Sequence, residues 1–184
     1  MSLDPLALID KYYADNAPLR QLLIHHSQQV AARALQAVDA HPELGADRRF
    51  VYEAAMLHDI GVFLTDAPEI YCFGAQPYIC HGILGADLLR KEGFPRHARV
   101  AERHTGAGLS AEEILRQQLP LPPKDFMPET IEEQLVCWAD KFYSKSHPKR
   151  EKTVEKARKS MAKYGEDALQ RFNDWHERFS TLPS

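Results

Sequence analysis

The stretch Val51-Tyr52-Glu53-Ala54-Ala55-Met56-Leu57-His58-Asp59-Ile60-Gly61 decides how the rest of the chain is read. Val51, Ala54, Ala55 and His58 recur at three- and four-residue steps, the spacing of one helical face. That face is apolar until it reaches His58 and Asp59. Burying a carboxylate at the end of an inward stripe is costly unless a partner or a metal ion meets it. Gly61, two residues on, is expected to take the left-handed conformation that ends many helices.

The same periodicity extends in both directions. Leu19, Leu22, Leu23, His26, Val30 and Ala37 predict an amphipathic helix over 17–39. His81, Leu84, Gly85, Leu88 and Leu89 predict another, stopped by Gly93. Pro95 restarts a helix through His97, Val100, Ala101 and His104 that Gly106 ends. Ser110 and Glu113 have capping-box spacing ahead of a short helix, and the prolines of 119–123 break regularity. A longer helix is expected from about Pro128 to Tyr143, with Ile131, Leu135, Trp138 and Phe142 on one face. The tail shows Val154, Ala157, Met161 and Tyr164, then Ala168, Phe172, Trp175 and Phe179, aromatics expected to seal a core. No strand pattern stands out. The fold class is all-α, a single-domain helical bundle over residues 1–184, with a motif-bearing core at about 20–145 and C-terminal helices at about 149–180 packing on it.

Composition agrees with an ordinary globular chain: 184 residues, 44% hydrophobic, 27% charged. No apolar run reaches the ~18 residues needed to span a bilayer, and no export signal opens the chain, so a cytoplasmic location without membrane contact is expected. The three cysteines, Cys72, Cys80 and Cys137, make neither a disulfide framework nor a zinc ribbon. A net charge of −3 is too mild to imply a nucleic-acid partner.

Polar residues interrupt the inward stripes at His26, at His58-Asp59 and at Asp140, which follows Trp138-Ala139. Imidazole and carboxylate groups from separate helices, meeting at one point, would satisfy one another around a divalent cation such as iron, manganese, zinc or magnesium.

These residues resemble the HD superfamily of metal-dependent phosphohydrolases, all-helical enzymes named for a His-Asp doublet. The likeness rests on His26-Ser27, on Ala55-Met56-Leu57-His58-Asp59-Ile60-Gly61 and on Trp138-Ala139-Asp140-Lys141, in that order. It implies that His26, His58, Asp59 and Asp140 are metal ligands, with His25 the competitor for the first place. It also implies a metal-activated water, with Asp59 bridging metals or orienting that water, and a small-molecule phosphate substrate, a nucleotide above all. His81 in His81-Gly82 and His104 in Arg103-His104-Thr105-Gly106 stand where some members hold one further ion. They are candidate catalytic groups that would stabilise phosphate charge or protonate the leaving oxygen. His81, His104, Thr105 and Lys141 are candidate substrate contacts.

The class that cleaves cyclic dinucleotides has a His-His pair where this chain has His104-Thr105. The arrangement is more similar to bacterial diadenosine tetraphosphate hydrolases, although Phe142-Tyr143-Ser144-Lys145 replaces the segment usual there. Two alternatives stand beside a nucleotide hydrolase: a one-metal nucleoside monophosphatase, and a non-catalytic metal- or nucleotide-binding regulatory domain. Each residue also has a plainer reading. Thr105 ends its helix as readily as it binds substrate, and a lysine beside an inward aspartate, as Lys141 is, often points to solvent. His41, His97, His147 and His176 read as solvated or capping residues. The nine Lys/Arg of 141–163 against two Glu read as one solvated face.

Overall fold

A computed structural model describes residues 3–180. Helix α1 (Pro5–Tyr13) starts at Asp4, whose carboxylate accepts from the Leu6 and Ala7 N–H groups. Helix α2 (Ala17–Ala40) starts at Asn16 and turns Leu19, Leu23, His26, Val30, Ala34 and Ala37 inward, the expected stripe. Its small residues let α3 (Arg48–Leu57) and α7 (Ile131–Asp140) pack closely against it. Between them in sequence come α4 (His81–Lys91), α5 (Pro95–Arg103) and α6 (Ala111–Arg116). The chain closes with α8 (Val154–Ala162) and α9 (Glu166–Phe179). The architecture is all-α, with one core shared by α1–α5, α7, α8 and α9; Phe172, Trp175 and Phe179 join it from the last helix.

Two short strands, β1 (Asp66–Ala67) and β2 (Cys72–Phe73), pair antiparallel with Asp66 opposite Phe73. They form a small hairpin between α3 and α4, too short to show an alternating pattern in sequence.

Two boundaries differ from expectation. The segment near Pro128 does not open a helix; a capping box between Thr130 and Glu133 sets the start of α7 at Ile131. Glu133 also holds Arg99 at 2.9 Å and Arg103 at 3.3 Å, tying α7 to α5. Thr130→Ala is therefore expected to cost about 1 kcal/mol and lower the melting temperature by about 2–4 °C, readable by thermal denaturation. Glu133, still held by its arginines, keeps the loss from being larger.

Helix α3 ends at Leu57, leaving His58 as its C-cap in ordinary right-handed geometry. Gly61 has φ −88° and ψ −2°, so it is no left-handed stop. Its reason is space. A Cβ there would lie 2.3 Å from the Gly85 nitrogen and 2.4 Å from the His81 carbonyl oxygen. The turn after the doublet thus lies backbone to backbone against α4.

His97 is not solvated. It is 9% exposed, bonds Glu53 at 3.2 Å, and meets the rings of Phe50 and Phe94 edge-on. His41 does cap, ending α2 and bonding Glu43 at 3.1 Å.

Candidate metal centre

Five helices deliver one group or more each to a common point. His26 comes from the middle of α2, and His58 with Asp59 from the end of α3. His81 is the first residue of α4, His104 the C-cap of α5, and Asp140 the last residue of α7. His26 Nε2 lies 3.1 Å from Asp59 Oδ2 and 3.0 Å from Asp140 Oδ1. His58 Nε2 lies 3.1 Å and 3.5 Å from the same two oxygens. The other oxygen of Asp59, Oδ1, faces His81 Nε2 at 3.2 Å and His104 Nε2 at 3.4 Å. His25, one residue before His26, is exposed and bonds the Pro148 carbonyl at 3.1 Å instead.

The donor set suits a cation. His58, His81 and His104 donate Nδ1–H to the carbonyls of Ala55, Tyr78 and Ala101, at 2.7, 2.6 and 2.7 Å. A carbonyl only accepts, so in each neutral ring Nε2 carries the lone pair and faces the cluster. His81 Nε2 and His104 Nε2 are 3.0 Å apart, a contact that a cation shared between lone pairs relieves. Both ring nitrogens of His26, Nε2 of His58 and Oδ1 of Asp59 are buried without a well-directed hydrogen bond. The atoms fall into two groups, His26-His58-Asp59-Asp140 and Asp59-His81-His104, with Asp59 in both. Imidazole nitrogen with carboxylate oxygen is a first-row transition-metal set.

Charge is concentrated in this space. Burial opposes ionisation of Asp59, but Lys145 and His58 hold its carboxyl well below the usual range; Lys141 and His26 do the same for Asp140. Burial lowers the His58 imidazole, and Asp59 and Asp140 more than reverse this, raising it to about 9. Burial wins at His81, which falls to about 3, and His104 is lowered for the same reason.

Beside the cluster opens a cavity of about 370 Å³, within the range of small-molecule sites, lined by His26, His81, His104 and Asp140 among others. Thr105 lines it too, half-buried, while its carbonyl accepts the Gly108 N–H at 3.1 Å. Lys141 does not point to solvent. It is 7% exposed, and its Nζ donates to the His104 carbonyl and to Asp140 Oδ2, each at 2.8 Å.

The solvated-face reading of the basic tail fails for Lys145, whose side chain is 10% exposed and donates to Asp59 Oδ2, and Lys152 and Lys163 also line the cavity. Sequence reasoning missed Lys145, although it continues the stripe Leu135, Trp138, Phe142 at the next helical step. The stripe runs past the end of α7 because Phe142 and Tyr143 continue in turns on Ala139 and Asp140.

Comparison with known proteins fits this geometry. The family model of the HD domain matches residues 23–144. The chain is 37% identical over 166 residues to a tRNA (cytidine(56)-2'-O)-methyltransferase of Picrophilus torridus, covering 88% of this chain and 42% of that protein. A protein of the same name from Thermoplasma volcanium is 34% identical over 96% of this chain and 46% of its own length. The chain thus spans less than half of these two relatives. An uncharacterized protein of Methanocaldococcus jannaschii is 37% identical over 64% of each chain. Among solved structures, the HD domain of the phosphodiesterase PgpH of L. monocytogenes superposes with a TM-score of 0.54 at 17% identity, covering 91% of this chain and 94% of that one. The same domain in complex with cyclic-di-AMP gives 0.53 at 16%, over 96% and 99%. At these identities the likeness is one of fold. Among the described residues no helix is long and apolar enough to cross a membrane.

Proposed function

The chain belongs to the HD domain family, and from that premise we propose that it is a metal-dependent phosphohydrolase acting on a nucleotide or related phosphate ester or anhydride. The observation that carries the proposal is Asp59, fully buried, with Oδ2 among His26, His58 and Asp140 and Oδ1 among His81 and His104, at the edge of a lysine-walled cavity. A fold neighbour holding a cyclic dinucleotide supports a nucleotide ligand.

In this reading His26, His58, Asp59 and Asp140 hold one divalent ion, and Asp59, His81 and His104 offer the place for another. Such an ion supplies Lewis acidity and a water that ionises near neutrality. The residues themselves set orientation. The backbone bonds at Nδ1 fix the rings of His58, His81 and His104, so that little reorganises when substrate arrives. Nδ1 of His81 is committed to the Tyr78 carbonyl and burial keeps the ring neutral, which favours a ligand role over proton donation to the leaving oxygen. The same holds for His104. Lys141, braced by the His104 carbonyl, and Lys145 present ammonium groups where phosphate charge is handled, and Thr105 adds a hydroxyl on the same wall. Tyr78, Tyr143 and Tyr164 also line the cavity and give a nucleobase ring faces to stack on. We also take residues 1–184 as one functional unit, since the cavity needs both the motif-bearing helices and α8.

Metal analysis of the purified protein, with a panel of nucleotides, dinucleoside polyphosphates and phosphate monoesters, tests the proposal. A co-purifying first-row metal is expected, with turnover that a chelator removes and added metal restores. Fully loaded protein that cleaves nothing in the panel overturns it in favour of a non-catalytic binding domain.

A further inference from the structure

The cavity holds more positive charge than one phosphate needs. Lys141, Lys145, Lys152 and Lys163 all line it, and Glu69 is the one acidic side chain of the wall outside the metal-centre cluster. Lys141 is committed to Asp140 and the His104 carbonyl, and Lys145 to Asp59. Lys152 and Lys163 line the same wall with no ion pair among the described residues, Lys163 from its exposed rim.

Lys152 is half-buried, a costly position for an unpaired ammonium. Burial lowers its pKa; Asp140 opposes this, while Lys141, Lys145 and Lys163 lower it further, so the four charges act on one another within one space. The Ser160 hydroxyl lines the same wall.

The wall is fixed in place. The Lys152 N–H donates to the Phe142 carbonyl at 2.7 Å, Thr153 caps α8, and Arg158 bonds Asn173 of α9 at 2.8 Å. All of it lies beyond residue 144, where the family match ends.

We infer that Lys152, Ser160 and Lys163 form a second phosphate subsite, and that the substrate carries at least two phosphate groups. With Lys141 and Lys145 offsetting Asp140 and Asp59, a divalent ion at the metal centre would already balance a monoester dianion; two further ammonium groups, at the approach to α8 and at its C-cap, match a second phosphate. That the other phosphate is the one cleaved rests on the phosphohydrolase reading; that the subsite binds phosphate does not.

Calorimetric titration of the metal-free protein with inorganic pyrophosphate and with orthophosphate tests binding without turnover. Pyrophosphate is expected to bind more tightly than orthophosphate. The double variant K152Q/K163Q should weaken pyrophosphate by about tenfold or more, the scale of a lost charge-assisted hydrogen bond, and K152R/K163R should restore most of it. In the active enzyme the ratio of KM for adenosine diphosphate to KM for the monophosphate should rise by a similar factor in K152Q/K163Q. An unchanged pyrophosphate affinity, or an unchanged KM ratio, overturns the subsite and leaves the hydrolase reading standing. Weakened pyrophosphate binding in a protein that cleaves nothing keeps the subsite and removes the hydrolase reading.

Discussion

Asp59→Asn is expected to lower kcat/KM by roughly 10³-fold or more, the scale of removing one pre-organised electrostatic group from a closed site. It should also leave the purified protein nearly free of metal. The size follows from position: Asp59 is the one residue shared by both ligand groups. Asparagine keeps the shape of the side chain, so the turn after α3 can retain its packing. The charge lost is the one that faces four imidazoles and Lys145. Lys145 loses its carboxylate, but its side chain lines the cavity, and its flexible stem lets the ammonium reach water. Far-UV circular dichroism should therefore match the parent while metal content and turnover fall together. Asp140→Asn touches only the group with His26 and His58, so Asp59 with His81 and His104 remains intact there. Its metal content should fall less than that of Asp59→Asn. Turnover preserved in Asp59→Asn would sink the assignment of the centre.

The centre was legible because burial and polarity conflict in sequence. His26 and Asp140 stand in or beside helical stripes that otherwise want apolar residues, and His58-Asp59 ends a third. That conflict is local, so a periodic reading detects it. Lys145 was hidden for the converse reason. It sits in a basic run whose other members, such as Lys149, Arg150, Lys156 and Lys159, are exposed, and composition alone gives all of them the same meaning. Only the return of the chain from α7 to α8 separates the lysines that face the cavity from those that face water. His97 escaped in the same way, because its partner Glu53 is 44 residues away. Helix α1 is marked by its Asp4 cap and by Pro5 at its first position, local signals that lie outside the periodic stripes. The start of α7 differs from expectation because Pro128 competes with Thr130 as a helix-opening signal, and the capping box wins by satisfying two backbone N–H groups at once.

Gly61→Ala is expected to be among the most destabilising single-methyl changes in the chain, costing about 3 kcal/mol or more. Its backbone, at φ −88°, tolerates alanine, so nothing in the turn itself objects. The obstacle is the facing helix. The added Cβ would meet Gly85 N at 2.3 Å, the His81 carbonyl at 2.4 Å and Gly85 Cα at 2.8 Å, all backbone atoms that cannot rotate aside. Relief requires α4 to move away from the doublet. His81 is the first residue of that helix and faces Asp59 Oδ1 at 3.2 Å, so the movement opens the metal centre as well as the core. Activity should then fall further than the loss of folded protein explains. Gly93→Ala is the matched comparison. There a Cβ meets nothing within 4 Å, and the strain comes only from φ +86°, so stability drops modestly while the centre is untouched. Denaturant titration of both variants, with activity measured per folded molecule, separates the two causes. If Gly61→Ala loses no more specific activity than Gly93→Ala, the close approach of the turn to α4 does not position His81.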